Sequence, residues 1–289
     1  MRHIAQPGPA AEERIEWVEA RGRRVEFDLT PGRRLLDAVR ESFAAEGLAS
    51  GVLTLDGGAL GPLAYVMPAL SSTGRNAAFY SEAFHPPGSS RLRTGALTFG
   101  SRDGAPFFHC HALWTEPDGR LRGGHVLPES TEIYETIRAR GIGLCGAAFS
   151  VDPDPETNFS LFHPVPQERT AGSGSERVFA LRLRPNQDLA HALEDFCRDR
   201  GVAAAVLHGG VGSIIGARFA DGTCVDPFAT EMAIRSGRIR ADVGSGLLAE
   251  VDAALVDLTG AVAEGSLLRG ENPILMTLEV VLEPDASGA

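Results

Sequence analysis

Three histidines within residues 108–125 are the residues of this chain most suited to chemistry. His109 and His111 alternate along a run typical of a β-strand, so both side chains are expected on one face. Pro117-Asp118-Gly119 predicts a turn, and pairing the chain about this turn places His125 directly opposite His111. The segment therefore predicts a β-hairpin on which three imidazoles converge, unless a bulge at Gly119 shifts the register.

Three convergent imidazoles are a typical ligand set for a divalent transition metal. We therefore predict that His109, His111 and His125 bind Zn²⁺ or another such ion, with a fourth position left for water or substrate. A polar cluster that handles protons and a chance arrangement are the alternatives. Glu129 and Glu132 follow closely and are candidates for general acid–base catalysis or for orienting a histidine; a solvated turn is the alternative for both.

Composition and net charge indicate which classes of protein this chain resembles and which partners it disfavours. The chain has 289 residues, which is enough for two domains, and its 43% hydrophobic and 22% charged residues are ordinary for a soluble protein. A net charge of −11 argues against nucleic acid as the main partner, because DNA-binding proteins present a basic surface. The basic residues of 21–24 are interpreted as solvent-exposed residues at the start of a strand.

The cysteines and the N-terminus indicate a compartment. The four cysteines are widely scattered, without a Cys-x-x-Cys pair, which is typical of free thiols in a reducing environment. The N-terminal residues lack an apolar signal core, and the chain has no apolar run long enough to span a membrane. We therefore expect a cytoplasmic protein.

The sequence repeats itself, which predicts two domains of similar build. A strand followed by a helical pattern occurs over residues 24–47 and again over residues 177–201. The Pro-, Gly- and Ser-containing residues 168–176 predict a linker, which divides the chain into domains 1–168 and 176–289.

The hairpin also recurs, over residues 250–266, but without the imidazoles. Glu250, Asp252 and Ser266 take the positions of the three histidines. Two carboxylates and a hydroxyl are fewer oxygen ligands than a hard cation usually needs, so a purely structural copy is favoured over a second metal site.

The order of these elements resembles the plants-and-prokaryotes-conserved (PPC) domain. The matching residues are Pro31-Gly32, Gly57-Gly58, His109-Cys110-His111, Asp118-Gly119-Arg120, Gly123-Gly124-His125 and Thr131-Glu132 in the first copy, and Arg177-Val178-Phe179, Gly209-Gly210-Val211-Gly212-Ser213 and Thr277-Leu278-Glu279 in the second. The resemblance implies an α+β fold in two tandem copies, each a largely antiparallel sheet with a packed helix. It also implies a trimer-based homo-oligomer, and zinc bound by the matching histidines as in some bacterial members.

Plant members of the PPC family act on AT-rich DNA through an attached AT-hook. This chain has no Arg-Gly-Arg-Pro element, and its nearest run, Arg21-Gly22-Arg23-Arg24, lacks the proline. The resemblance alone therefore does not transfer DNA binding to this chain.

Three functions follow as hypotheses. The favoured one is a zinc-dependent enzyme of hydrolase or lyase type, acting on a small-molecule substrate through metal-bound water or a metal-polarised carbonyl. The second is a PPC-type DNA-associated regulatory protein without an AT-hook, and the third is a ligand-binding or assembly protein with a structural metal. The long loop of residues 70–92 is either a lid beside the histidines or plain surface.

Overall fold

A computed structural model describes residues 1–168, 174–244 and 246–285. Within these residues the helices are α1 (Leu35–Ala45) and α2 (Leu189–Asp199). The strands are β1 (Ile15–Leu29), β2 (Gly51–Asp56), β3 (Ala59–Leu60), β4 (Tyr65–Val66), β5 (Pro68–Ala69), β6 (Phe79–Tyr80), β7 (Ser90–Arg102), β8 (Ala105–Thr115), β9 (Leu121–Val126), β10 (Ile133–Glu135), β11 (Ile137–Cys145), β12 (Ala147–Asp154), β13 (Phe159–Pro166), β14 (Glu176–Leu183), β15 (Ala205–Arg218), β16 (Cys224–Asp242), β17 (Gly246–Asp257), β18 (Val262–Ser266) and β19 (Ile274–Pro284).

The expected α+β class is wrong, because the chain is built mainly from antiparallel β-strands. Strands make up 58% of the described residues and helices only 8%. In the part of the chain that the structure describes, α-helix is confined to two 11-residue segments. Most remaining segments form long neighbouring strands, so that β7–β8–β9 and β15–β16–β17 are each a series of antiparallel pairs.

Strand β1 joins the two halves of the chain. Its first part, Ile15–Gly22, pairs with β14, and its second part, Arg21–Leu29, pairs with β11. As a result, seventeen of the described strands form one hydrogen-bonded network that runs through both halves. Of the predicted linker, residues 169–173 lie outside the described residues.

Apolar side chains form a core in each half and a further cluster between the halves. Val39 and Phe43 of α1 belong to the first core, and Leu193 and Phe196 of α2 belong to the second. The cluster between them includes Val52 and Ile142 of the first half and Val178, Ala180 and Val281 of the second. Neither described helix has the length and apolar character needed to cross a membrane.

A fully buried arginine, Arg182 on β14, also links the halves. Its guanidinium donates to Asp154 Oδ2 of β12 at 2.7 Å, to Glu16 Oε1 of β1 at 3.1 Å, and to Thr277 Oγ1 of β19 at 3.2 Å. Because a buried charge is costly unless it is paired, these contacts hold β12 and β1 against the sheet of the second half.

Candidate metal centre

The hairpin of β8 and β9 has the predicted register. His111 lies directly opposite His125, and Gly119 in the turn has a φ of 81°, which glycine adopts without strain. His109 Nε2 is 3.0 Å from His111 Nε2, and His111 Nε2 is 3.3 Å from His125 Nδ1. The structure therefore brings the three predicted histidines together at one point.

The second half of the chain adds a carboxylate to this point. Glu231 of β16 is buried, and its Oε2 lies 2.6 Å from His111 Nε2. One ligand atom from each of His109, His111, His125 and Glu231 lies within 4.8 Å of all the others. A tetrahedral ion with bonds of about 2.0–2.1 Å needs ligand atoms roughly 3.3 Å apart, so small shifts of these side chains would fit one. The group could thus hold a metal ion.

Two of the rings, those of His109 and His111, have hydrogen-bond partners on the side away from the centre. These partners leave the Nε2 atoms of the two rings facing the centre. His111 Nδ1 lies 3.0 Å from the carbonyl oxygen of Met232, and a carbonyl can only accept, so Nδ1 carries the proton and Nε2 is left to bind an ion. His109 Nδ1 lies 2.6 Å from Glu279 Oε2 on β19. Such a carboxylate–histidine pair is typical of the surroundings of a metal ligand.

Burial sets the protonation of the rings. Burial and the neighbouring His111 lower the pKa of His109 well below its ordinary value, and burial with the other two rings lowers the pKa of His125 in the same direction. Both rings are therefore neutral at neutral pH, which is the form that binds a metal. Burial also lowers the pKa of His111, but the charge and hydrogen bond of Glu231 outweigh it and raise that pKa.

Glu279 is the most deeply buried acid beside the centre, and burial raises its pKa to about 8. Its Oε1 accepts a 3.2 Å hydrogen bond from Thr277 Oγ1, which itself accepts from Arg182. A divalent cation at His109 Nε2 would favour the ionised carboxylate, because Nδ1–H then donates to it. Metal binding at this centre would thus be coupled to the release of protons.

A cavity of about 530 Å³ adjoins the centre. His109 and His125 form part of its wall. The other lining residues are Val66, Phe79, Tyr80, Arg102, Phe107, Leu127, Pro128, Glu129, Ser130, Val151, Asn158, Phe159, Ser160, Leu161 and Phe162. This volume lies in the range of small-molecule sites, so a ligand in the cavity would lie directly beside the histidines.

The structure separates the two glutamates that were predicted for acid–base chemistry. Glu129 is exposed and lines the cavity. Glu132 lies outside that lining and instead pairs through its backbone with Gly61 and Pro62, each at 2.9 Å. Of the two, only Glu129 is placed where it can face a ligand.

The long loop of residues 70–92 contributes to the same wall. Its short strand β6 carries Phe79 and Tyr80, and the Tyr80 ring lies edge-on to His125 with 5.2 Å between centroids. Burial strongly raises the pKa of Tyr80, so its hydroxyl stays protonated. Part of this loop therefore lies beside the histidines, as one of its two interpretations expects.

In the second hairpin, carboxylates at the histidine positions pair with arginines. Asp252 faces Ser266 in the register predicted by the repeat, but it pairs with Arg235 at 2.5 Å. Glu250 pairs with Arg238 at 2.6 Å and with Arg240 at 2.9 Å. These ion pairs agree with a structural copy.

Glu231 and Glu279 were missed by the reasoning from sequence. Each is a single acid within an otherwise mostly apolar stretch of strand, Ala229–Ile234 and Ile274–Leu282. A buried carboxylate is rare unless it is paired, so an acid at such a position is a usable signal of a site.

Replacing Glu279 by glutamine is expected to weaken metal binding by about 10–100-fold, the usual cost of losing an outer partner of a metal ligand. The cause is the loss of the charged acceptor for His109 Nδ1. Competition titration with a chromophoric chelator measures the affinity. Glu283→Gln is a matched control, because Glu283 lies on the same strand and contacts His208 Nε2 at the same 2.6 Å distance. Equal affinities of both variants would contradict the assignment.

Comparison with known proteins adds one match at the level of sequence families. Residues 170–284 match the family model described as the Plants and Prokaryotes Conserved (PCC) domain. No curated protein matches the chain.

Several solved structures are similar to parts of the chain. A PPC protein of Pyrococcus horikoshii is 19% identical over 52% of this chain and 97% of its own length, with a TM-score of 0.41. A metal-containing protein of Archaeoglobus fulgidus is 20% identical over 51% of this chain and 96% of its own, with a TM-score of 0.38. A proposed DNA-binding protein of Ralstonia eutropha is 14% identical over 49% and 90%, with a TM-score of 0.35. By its sequence, the second half of this chain, residues 170–284, thus matches the PCC domain family.

Proposed function

We propose that the chain binds a divalent transition metal, with Zn²⁺ as the first candidate, and is a small-molecule enzyme of hydrolase or lyase type. The ligands would be His109, His111, His125 and Glu231. The observation that carries the proposal is the position of His111 Nε2, which contacts an atom of each of the other three ligands while Nδ1 is committed to the carbonyl of Met232.

The cavity favours catalysis over a purely structural metal. A purely structural zinc is enclosed by its four protein ligands, whereas a catalytic ion needs a position that substrate can reach, which a four-ligand zinc gains by expanding to five-coordinate. Here two of the four ligands, His109 and His125, line a cavity of about 530 Å³. Transition metals that accept five or six ligands would keep positions open toward it.

Catalysis would use both the bound ion and residues of the cavity wall. The bound metal would supply Lewis acidity, which polarises a carbonyl or lowers the pKa of water. Glu129 is the candidate to accept or deliver a proton from the cavity wall. Tyr80 would restrict the access of solvent to His125.

A DNA-associated function is less well supported by the charges. Two of the three arginines in the basic run that could contact phosphates pair with carboxylates, since Arg23 pairs with Glu46 at 3.3 Å and Arg24 pairs with Glu283 at 2.8 Å. With a net charge of −11, few free cations remain to neutralise a nucleic acid backbone.

We also propose that the first half is a second copy of the domain matched by residues 170–284. The support is the same order of elements in both halves: a strand, an 11-residue helix, long antiparallel strands and a hairpin with the same internal register. Assembly into a trimer-based homo-oligomer remains part of this proposal.

Metal analysis followed by cobalt substitution tests the proposed function. After incubation with Zn²⁺ and dialysis, the wild-type chain is expected to retain about one ion per chain. The visible spectrum of the Co²⁺-loaded protein is expected to change on addition of azide, because an open position admits an external ligand. Failure to retain any ion would refute the metal site, and a spectrum unaffected by azide would indicate a structural metal.

A further inference from the structure

Arg102, the last residue of β7, lies in the wall of the cavity that contains His109 and His125. Its guanidinium carbon is 5.4 Å from the centroid of the Phe107 ring. Among the described residues, no carboxylate lies within ion-pair distance of Arg102, and no side-chain hydrogen bond engages it. Most other arginines of this acidic chain are paired, so Arg102 is a cation available to a ligand.

The chemistry around Arg102 favours a single negative charge. A guanidinium presents two parallel N–H donors that match a carboxylate, and stacking on a ring leaves those donors free. The exposed Glu129 lines the same cavity, and Glu231 lies behind the histidines. A phosphate dianion in the cavity would face Glu129, with Glu231 close to the histidines, and only Arg102 would balance its two charges, whereas a monocarboxylate would be balanced by Arg102.

The remaining walls are suited to an apolar body. Aromatic and aliphatic side chains make up much of the cavity lining, and these include Phe79, Phe107, Val151, Phe159, Leu161 and Phe162. Burial of such surface stabilises apolar ligands in proportion to the area removed from water.

We propose that the substrate class is a small monocarboxylate with an aromatic or branched apolar body. Arg102 binds the carboxylate, the body lies against the aromatic wall, and the opposite end of the molecule reaches His109 and His125. This inference rests on the proposed function only in placing the reacting end of the substrate at the metal. The contact between Arg102 and the carboxylate involves no metal.

Calorimetry on the metal-free full chain tests this contact, since a metal could otherwise bind the carboxylate itself. The probes are 3-phenylpropanoate and 3-phenylpropanamide, which share one apolar body and differ in charge. The acid is expected to bind at least about 10-fold more tightly than the amide, because charge-assisted hydrogen bonds are roughly twice as strong as neutral ones. Arg102→Met is expected to abolish this preference, and Arg102→Lys is expected to keep part of it.

Arg91→Met is the matched control, because Arg91 is an exposed arginine of the same strand outside the cavity lining. The control should bind the acid like the wild type. Equal binding of acid and amide by the wild type would overturn the proposal, and so would a preference that persists in Arg102→Met. Zn²⁺ titration of Arg102→Met separates the two claims, because this variant is expected to lose the preference for the acid and to bind Zn²⁺ like the wild type.

Discussion

Replacing His111 by alanine is expected to abolish stoichiometric metal binding. His111 Nε2 is the atom that contacts Glu231, His109 and His125, so its removal takes away the centre of the ligand group. The affinity for Zn²⁺ should fall by more than about 100-fold, since even an outer partner of a ligand is worth 10–100-fold. Metal content after dialysis and chelator competition measure the effect.

A folding control accompanies this variant. The substitution leaves the Met232 carbonyl without its donor, which costs about 1–3 kcal/mol, so circular dichroism must show that the chain is still folded. His191→Ala is the matched control, because His191 lies on α2 with nearly half of its side chain exposed and should leave metal binding unchanged. Zn²⁺ should also raise the melting temperature of the wild type but not of His111→Ala. Unchanged metal content in His111→Ala would show that the ion is bound without His111, whereas the absence of bound metal from the wild type would favour the proton-handling cluster.

Replacing Arg182 by methionine is expected to lower the free energy of unfolding by about 3 kcal/mol, at the lower end of the usual cost of breaking a buried ion pair. The variant would remove the shortest cationic contact of the buried Asp154 and one contact of the partly buried Glu16, which also pairs with Arg184 and His163. Arg184 also donates to Asp154, at 2.8 Å, and this contact limits the loss. Urea unfolding measures the change.

Arg177→Met provides the comparison on the same strand. Arg177 pairs with Glu19 at 3.0 Å, but both side chains are almost half exposed, so its loss should cost less than about 1 kcal/mol. Equal destabilisation by the two substitutions would show that Arg182 is no more important than a surface pair.

The local part of the candidate centre could be predicted from the sequence. The alternation of His109 and His111 and the turn at Gly119 depend only on the period of a strand and on turn chemistry within residues 108–125. The observed pairing of His111 with His125 confirms that prediction. The predicted α+β fold class was wrong. The two helical patterns were clear signals in the sequence, but they are short, and many strands with weaker individual patterns make up most of the architecture.

Glu129 and Glu132 show the limit of reasoning from proximity in sequence. Both follow His125 within seven positions, yet only Glu129 lines the cavity. The chain between them turns toward Gly61 and Pro62, which engage the backbone of Glu132. A turn of this kind depends on a partner segment some 70 residues earlier, so no local pattern could have separated the two.

By itself, the sequence determined the hairpin, its turn and the convergence of three imidazoles, because those features arise from neighbours along the chain. Only the tertiary structure decided that Glu231 joins the group that could hold a metal ion and that Met232 and Glu279 lie against the outer sides of the rings. Met232 is 121 positions from His111, and Glu279 is 170 positions from His109. Their approach results from the pairing of β1 with both halves and from the apolar cluster between them, and such packing follows from shape and burial across the whole molecule.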